Sequence, residues 1–257
     1  MIEKLFKSMF PETSIDTMLD VETRTLPIKE YALSELAAKQ ILPDFFEPSC
    51  KLFTTAKIYN DILQRKKNVE IKFLGKKKVV NCTLVILSDT AQIRVMFRQS
   101  HAKVFIGAKC EGKFDIRLNN LKPTICVGDA VTSRGMHIAV HGTGISIGKQ
   151  CLIGEDVVIQ GHDAHGIVDI DTLELINSED AQTIIEPRVW LGKRVIVLPG
   201  NRICQGAIIG AASVVTKDVP ACTLAVGIPA KVIKHGVTWS RSRYKVDEEC
   251  KDFINSL

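Results

Sequence analysis

Aromatic residues are scarce in this sequence and make up only 6% of its 257 residues. The hydrophobic fraction is nevertheless 46%, which is ordinary for a globular protein, so most apolar side chains are those of Val, Ile, Leu and Ala. Folds that stack many similar aliphatic layers use residues in this way. The composition therefore favours a layered, repetitive architecture.

Paired cysteines are also missing. The eight Cys residues stand singly along the chain, and no two of them have the Cys-x-x-Cys spacing. This scatter argues against both a zinc knuckle and a disulfide framework. Isolated thiols behave as small buried hydrophobes, and we expect them to remain reduced, which implies a reducing compartment.

Long hydrophobic runs are absent as well. No stretch approaches the roughly 18 apolar residues that span a membrane, and the first residues lack the pattern of a cleavable leader. We therefore expect a cytoplasmic protein without a transmembrane segment.

The charge is only mildly one-sided, with a formal net charge of +5 at pH 7. Such an excess suits an anionic ligand, for example a phosphate-bearing cofactor or an acidic glycan. No basic stripe with interleaved aromatic residues is present, so nucleic acid is not expected as a partner.

Three kinds of residue pattern follow one another along the chain. Two segments near the N-terminus, 34–42 and 54–66, have apolar residues at helical spacing. Short β-rich runs begin at about residue 68. A polar segment with a helical pattern closes the chain from about residue 240.

The decisive pattern is a period of six in the C-terminal half. An aliphatic residue occupies the first position of six consecutive hexads: Ile185, Leu191, Val197, Ile203, Ile209 and Val215. A strand alone has period two and a helix 3.6, so a period of six requires a short strand plus a turn. Three such sides close a triangular coil, and stacked coils bury the first positions in one continuous interior.

A second run of hexads precedes the first, with first positions at Ile147, Ile153 and Ile159. The spacing from Ile159 to Ile185 is not a multiple of six, so the two runs are out of phase. The sequence therefore predicts that a segment at about 164–184 leaves the coils as a loop.

These residues resemble a known family. The stretches 144–177 and 189–234 are similar to the catalytic and C-terminal coils of hexapeptide-repeat acetyltransferases. The Asp-x-His-x-Ile element at 163–167 is most similar to their capsule and sialic-acid O-acetyltransferase branch. The resemblance implies a left-handed parallel β-helix, acetyl-CoA as co-substrate, a saccharide acceptor, and a homotrimer with active sites between subunits.

The resulting fold prediction is an all-β solenoid. A partly helical N-terminal extension (1–66) precedes a β-helix acyltransferase domain (67–235), and a short helical tail (236–257) follows. The two terminal segments would cap the ends of the stack.

The resemblance points to His165 as the general base that removes a proton from a sugar hydroxyl. A neutral imidazole suits this step because its reference pKa is about 6.5. His162 is the rival candidate, three positions earlier. Asp163 is predicted either to fix the tautomer of a nearby imidazole or to serve only as a turn residue.

Trp190 corresponds to a Trp that lines the acceptor or thioester site in the family. It holds the sixth position of its hexad and should project outward, where it offers a flat wall and one hydrogen-bond donor. Packing in a trimer interface is the alternative role. The positions that correspond to the family's cofactor-binding residues are Gly192, Gly210, Ala212, Thr216, Lys217 and Lys231, with the two lysines meeting the phosphates.

One departure from the family concerns the acceptor site. Some sugar acetyltransferases carry an Asn well upstream of the catalytic His, whereas the corresponding segment here, 133–141, contains none. Arg134, His137 or His141 could replace it.

Three other functions stay open from the sequence: N-acetylation of an amino sugar, a zinc protein similar to γ-class carbonic anhydrases, and a non-enzymatic scaffold. The histidines make the zinc protein conceivable, but the ligand spacing of that family is absent. We therefore expect no metal.

Overall fold

The fold is given by a computed structural model of the chain. It describes residues 1–66, 68–119, 122–142, 144–163, 165–177 and 181–257. Within these ranges no helix is both long enough and apolar enough to cross a membrane.

Short helices lie at the two ends of the chain and strands fill the middle. The helices are α1 (Ile2–Met9), α2 (Val21–Arg24), α3 (Leu33–Ala38), α4 (Ala56–Leu63) and α5 (Glu248–Asn255), with a 3₁₀ turn at Ile15–Thr17. The strands are β1 (Lys29–Ala32), β2 (Lys51–Thr54), β3 (Val69–Phe73), β4 (Thr83–Ile86), β5 (Gln92–Phe97), β6 (Lys103–Ile106), β7 (Glu111–Asn119), β8 (Thr124–Val127), β9 (Thr132–His141), β10 (Gly144–Ile147), β11 (Leu152–Ile153), β12 (Val157–Gln160), β13 (Thr183–Ile185), β14 (Trp190–Leu191), β15 (Ile196–Val197), β16 (Arg202–Ile203), β17 (Ile208–Ile209), β18 (Val214–Val215), β19 (Thr223–Val226) and β20 (Lys231–His235).

The strands stack in parallel on three faces of a solenoid. Face 1 contains β2, β4, β6, β8, β10, β13 and β16. Face 2 contains the starts of β7 and β9, followed by β11, β14, β17 and β19. Face 3 contains β3, β5, most of β7, the end of β9, and then β12, β15 and β18.

Strands β7 and β9 are long because each turns a corner from face 2 to face 3. Gly112 makes the corner of β7 possible. Its φ is +90°, and a Cβ at this position would lie 1.7 Å from the carbonyl oxygen of Ser133 on the next coil. Only glycine accommodates that approach.

The regular coil consists of three hexads, as the sequence predicts. Residues paired on successive coils are three hexads apart on each face: Ile184 with Arg202, Trp190 with Ile208, and Ile196 with Val214. All the predicted first-position aliphatic side chains are at most 1% exposed. Burial of each such side chain contributes roughly 1.5–3 kcal/mol, so this interior is the main source of stability.

The solenoid begins earlier than the boundary predicted at residue 67. Strand β2 pairs in parallel with β4, and β1 adds to β2 in antiparallel orientation. Helix α4 follows β2 directly and starts at the N-cap Thr55, whose side chain accepts a hydrogen bond from the backbone N–H of Ile58. The helical periodicity of this segment conceals the strand before it.

The N-terminal segment covers the outside of face 1. Phe6 packs edge-on against Phe105 with ring centroids 5.2 Å apart. The Asp129 carboxylate accepts hydrogen bonds from the backbone N–H groups of Asp20 (2.8 Å) and Ala108 (2.7 Å). Burial raises the pKa of Asp129, although these hydrogen bonds oppose the shift.

The C-terminal tail runs back along the corner between faces 1 and 2. The backbone N–H of Val237 donates to Cys222, and the Thr238 hydroxyl donates to the carbonyl of Gly206 one coil away. Trp239 then reaches Arg188 on the following coil, where its indole N–H donates to the Arg188 carbonyl at 2.5 Å. The tail therefore contacts several coils in succession.

Candidate active site

A hairpin leaves the solenoid between faces 3 and 1. Ile196 pairs with Val214 three hexads later, whereas Val158 meets its partner Ile196 only after a much longer stretch of chain. The additional chain lies between the end of β12 at Gln160 and the start of β13 at Thr183. This confirms the predicted loop and places its start a little before position 164.

The hairpin has antiparallel sides and a tight tip. Val168 and Leu175 form an antiparallel bridge, and the N–H of Ile176 donates to Ile167 at 2.9 Å. At the tip the Asp169 carboxylate accepts from the N–H groups of Asp171 and Thr172, both at 2.9 Å. The hydrogen bonds from Thr172 and Asp171 lower the pKa of Asp169.

The predicted base and its neighbours gather where the hairpin starts. His165 is exposed there, and its carbonyl accepts a hydrogen bond from the side-chain amide of Asn177 at 3.0 Å. The same amide donates to the Asp163 carboxylate at 3.1 Å. Nδ1 of His162 contacts the backbone oxygen of Asp163.

Trp190 lies away from the hairpin within one chain. It begins β14 on face 2, stacked between Leu152 and Ile208, and its side chain points outward with 39% exposure. The hairpin emerges from the corner between faces 3 and 1. The fold of one chain therefore brings His162, Asp163 and His165 together but sets Trp190 on another side of the solenoid.

The predicted cofactor-binding glycines lie at the corner between faces 2 and 3. A Cβ on Gly192 would lie 2.7 Å from the backbone nitrogen of Ala211, and one on Gly210 would lie 2.6 Å from Val226. The N–H groups of Gly192, Gly210 and Ala212 donate to carbonyls of neighbouring coils at 2.8–2.9 Å. These residues serve close stacking of the coils, and their N–H groups are already used.

The polar cofactor-binding candidates lie at the end of the last coils. Thr216 and Lys217 are exposed directly after β18, and Lys231 is exposed at the start of β20. The N–H of Ala230 donates to Val214 at 2.8 Å, which draws the start of β20 against β18. Lys217 thus follows the last strand of face 3, whereas Lys231 lies in β20, which pairs with β19 at the end of face 2.

Comparisons with known proteins bear directly on this arrangement. The chain is 34% identical over 109 residues to the polysialic acid O-acetyltransferase of Escherichia coli O1:K1, over 42% of this chain and 35% of that protein. It is 40% identical over 93 residues to the galactoside O-acetyltransferase of Lactococcus lactis, over 36% of this chain and 44% of that protein. The matches span less than half the length of these curated relatives. No family model matches the chain.

The three-dimensional comparison extends further. The crystal structure of NeuO, a polySia-specific acetyltransferase, superimposes with a TM-score of 0.64 and 27% identity, over 73% of this chain and 93% of that one. The chain is therefore similar in fold to this acetyltransferase over most of that protein's length. The predicted left-handed parallel β-helix is thereby confirmed.

The protein also carries a groove on face 3, with a volume of about 480 Å³. A ladder of ionisable side chains crosses it in register: Glu70, Arg94, Asp115 and His137. Arg94 binds Glu70 at 2.7 Å and Asp115 at 3.4 Å, and His137 lies 3.9 Å from Asp115. Ion pairing with Lys72 and Arg94 lowers the pKa of Glu70.

Two of the three residues considered as replacements for the family's Asn line this groove, namely Arg134 and His137. His141 ends β9, and its side chain lies outside the described part of the structure. Among the described residues, no group of three or more His, Cys, Asp or Glu side chains is placed to hold a metal ion.

Sequence reasoning missed Asn177 and the ladder of ionisable side chains. The ladder joins residues from four strands at irregular separations, so only strand register reveals it. Asn177 lies in a polar loop segment without periodicity, and nothing in the sequence distinguishes it from neighbouring polar residues.

Proposed function

We propose that this protein transfers an acetyl group from acetyl-CoA to a hydroxyl of a saccharide, in a capsular or other surface polysaccharide. The observation that carries the proposal is the hairpin, which presents Asp163 and His165 together at the edge of hexapeptide coils. The named activities of the relatives, polysialic acid and galactoside O-acetyltransferase, support an O-linked saccharide acceptor.

The chemistry assigned to His165 is general-base catalysis. Its neutral imidazole takes the proton of the sugar hydroxyl while the hydroxyl oxygen attacks the thioester carbonyl carbon. The carbon–sulfur bond then breaks, and the imidazolium returns the proton to the CoA thiolate. The products are the acetyl ester and CoA, and the imidazole is neutral again.

Acetyl-CoA is proposed to lie along the edge of the last coils. Lys217 and Lys231 supply cations for its phosphates, and both are exposed on the last coils. Thr216 and the tightly stacked backbone at Gly192, Gly210 and Ala212 form the wall against the pantetheine arm. The wall is smooth because these positions carry small side chains.

The working unit is proposed to be a homotrimer with each site shared between two subunits. The hairpin exposes a set of apolar side chains to solvent in one chain, including Ile170 (86% exposed) and Leu173 (79%). Exposed apolar surface of this kind is typical of a protein–protein interface. A cyclic arrangement would bring the hairpin of one subunit to Trp190 of the next, which a single chain does not do.

The oligomeric state is directly testable. By light scattering we expect a mass three times the 28.4 kDa of one chain. Replacing Ile170 or Leu173 by Asp should dissociate the trimer, because an unpaired carboxylate would be buried in an apolar contact. Val21→Asp, on exposed α2, is the matched control and should leave the mass unchanged. A wild-type monomer at micromolar concentration would refute shared active sites.

The proposed location is the cytoplasm, where acetyl-CoA is available. All eight cysteines are free thiols. Five of them are fully buried: Cys50, Cys82, Cys110, Cys126 and Cys151. Thiols in this state suit a reducing compartment.

The proposed activity is tested with acetyl-CoA and a panel of capsular and lipopolysaccharide-type glycans. We expect calorimetry to detect acetyl-CoA binding that weakens at high salt, because screening reduces the attraction between phosphates and the two lysines. Release of CoA with at least one glycan, and an acetyl ester identified in the product by NMR, would support the proposal. An amide product would redirect it to an amino sugar, and absence of acetyl-CoA binding at low and high salt would overturn it.

A further inference from the structure

Asn177 is the residue that joins the two sides of the hairpin at its base. Its side-chain oxygen accepts the backbone N–H of Ile167 at 2.7 Å. Its side-chain nitrogen donates to the His165 carbonyl at 3.0 Å and to the Asp163 carboxylate at 3.1 Å. A primary amide has two N–H donors and one carbonyl acceptor, so these contacts use every donor and the oxygen.

The orientation of this amide is fixed by its neighbours. The Ile167 N–H requires an acceptor, whereas the His165 carbonyl and the Asp163 carboxylate require donors. A flipped amide would place its oxygen against two other oxygens and its NH₂ group against an N–H. Only the observed orientation satisfies all three partners.

The three contacts surround His165 in the chain. The first is with the Asp163 carboxylate, two positions before His165. The second is with the carbonyl of His165 itself, and the third is with the N–H of Ile167, two positions after it. The apolar side chains of the hairpin are exposed, and the solenoid core does not reach this far. The side chain of Asn177, from the opposite side of the hairpin, therefore restrains the backbone that carries the imidazole.

We infer that Asn177 is a positioning residue, which holds the backbone at His165 so that the imidazole meets the acceptor hydroxyl. This inference rests on the proposed function of His165 as the base. Small errors in the placement of a base are costly, since a shift of about 1 Å can reduce a rate about 100-fold. Loss of the Asn177 contacts should therefore lower catalysis without unfolding the solenoid.

The first test compares Asn177→Ala with Asn177→Asp. Alanine removes all three contacts. An ionised Asp keeps the acceptor for Ile167 but cannot donate, and it places a second carboxylate beside Asp163. We expect kcat to fall about 10- to 100-fold in both variants, with the KM for acetyl-CoA and the Tm close to wild type. Thr172→Ala, which removes a hydrogen bond at the hairpin tip, is the matched control and should keep a kcat close to wild type.

The second test asks whether Asn177 acts through His165. In the His165→Ala background, adding Asn177→Ala should cause no further loss, because there is no imidazole left to position. A further tenfold loss in the double variant would overturn the inference, as would Asn177→Ala retaining wild-type kcat. Either result, combined with an inactive His165→Ala protein, would leave the proposed function intact. A fully active His165→Ala protein would instead refute the role of His165 itself.

Discussion

Replacing His165 with Ala is expected to lower kcat/KM by about 10²–10⁴, the usual contribution of a general base. The side chain is exposed at the base of the hairpin and contributes nothing to the aliphatic interior, so the Tm should not change. Affinity for acetyl-CoA should change little, since Lys217 and Lys231 lie on the last coils. Steady-state kinetics and a melting curve on the same preparation provide the measurement.

His162→Ala is the internal comparison for that experiment. Its Nδ1 contacts the Asp163 backbone oxygen, and its imidazole has the chemistry of a base. We expect a smaller loss than for His165→Ala. A larger loss would move the catalytic assignment by three positions and keep the fold and reaction, whereas a folded His165→Ala protein with wild-type activity would show the assignment to be wrong.

Among the proposed substitutions, Trp239→Ala is expected to give the largest loss of stability, about 3–5 kcal/mol in the free energy of unfolding. The indole is 4% exposed and covers the Arg188 guanidinium, whose carbon lies 5.0 Å from the ring centroid. Phe253 of α5 covers the guanidinium at the same distance. The variant would therefore lose a large buried side chain and uncover a charge that is only 3% exposed.

Arg241→Ala is the matched control for the Trp239 variant. Its guanidinium also lies near the Trp239 ring, at 5.7 Å, but its side chain is 38% exposed. Exposed contacts of this kind contribute below about 1 kcal/mol. Urea denaturation of both variants measures the difference, and equal small losses would mean that the tail does not depend on the buried cluster.

The coils after Ile145 could be predicted from sequence, and the earlier coils could not, because their lengths differ. The later coils repeat every three hexads, so the hexad phase persists and the inserted hairpin appears as a break in phase. Earlier coils are longer than three hexads. Val104 pairs with Leu84 on one side and with Ile125 on the other, and each of these pairs is separated by more than three hexads in sequence. The additional chain at the corners destroys the period, although the strands still stack.

The candidate site was predictable only in part. His165 and Asp163 stand in a recognisable sequence element, whereas Asn177 is separated from them by the whole hairpin and meets them only after the chain reverses. The separation between Trp190 and the hairpin also follows from the order of faces. Sequence spacing alone does not show on which face a residue lies.

A stack of coils that touch only their neighbours unfolds like a row of separate units, and its free end can fray. The C-terminal tail alters this behaviour because it fastens the coil of Cys222 to those of Gly206 and Arg188, and Arg241 extends it to Thr132 at 3.5 Å. Opening of the last coil then requires that the C-terminal tail also detach from coils further along the stack. We expect hydrogen exchange at Ile209 and Val215 to be as slow as at Ile153, so that the solenoid behaves as one cooperative unit instead of a chain of independent repeats.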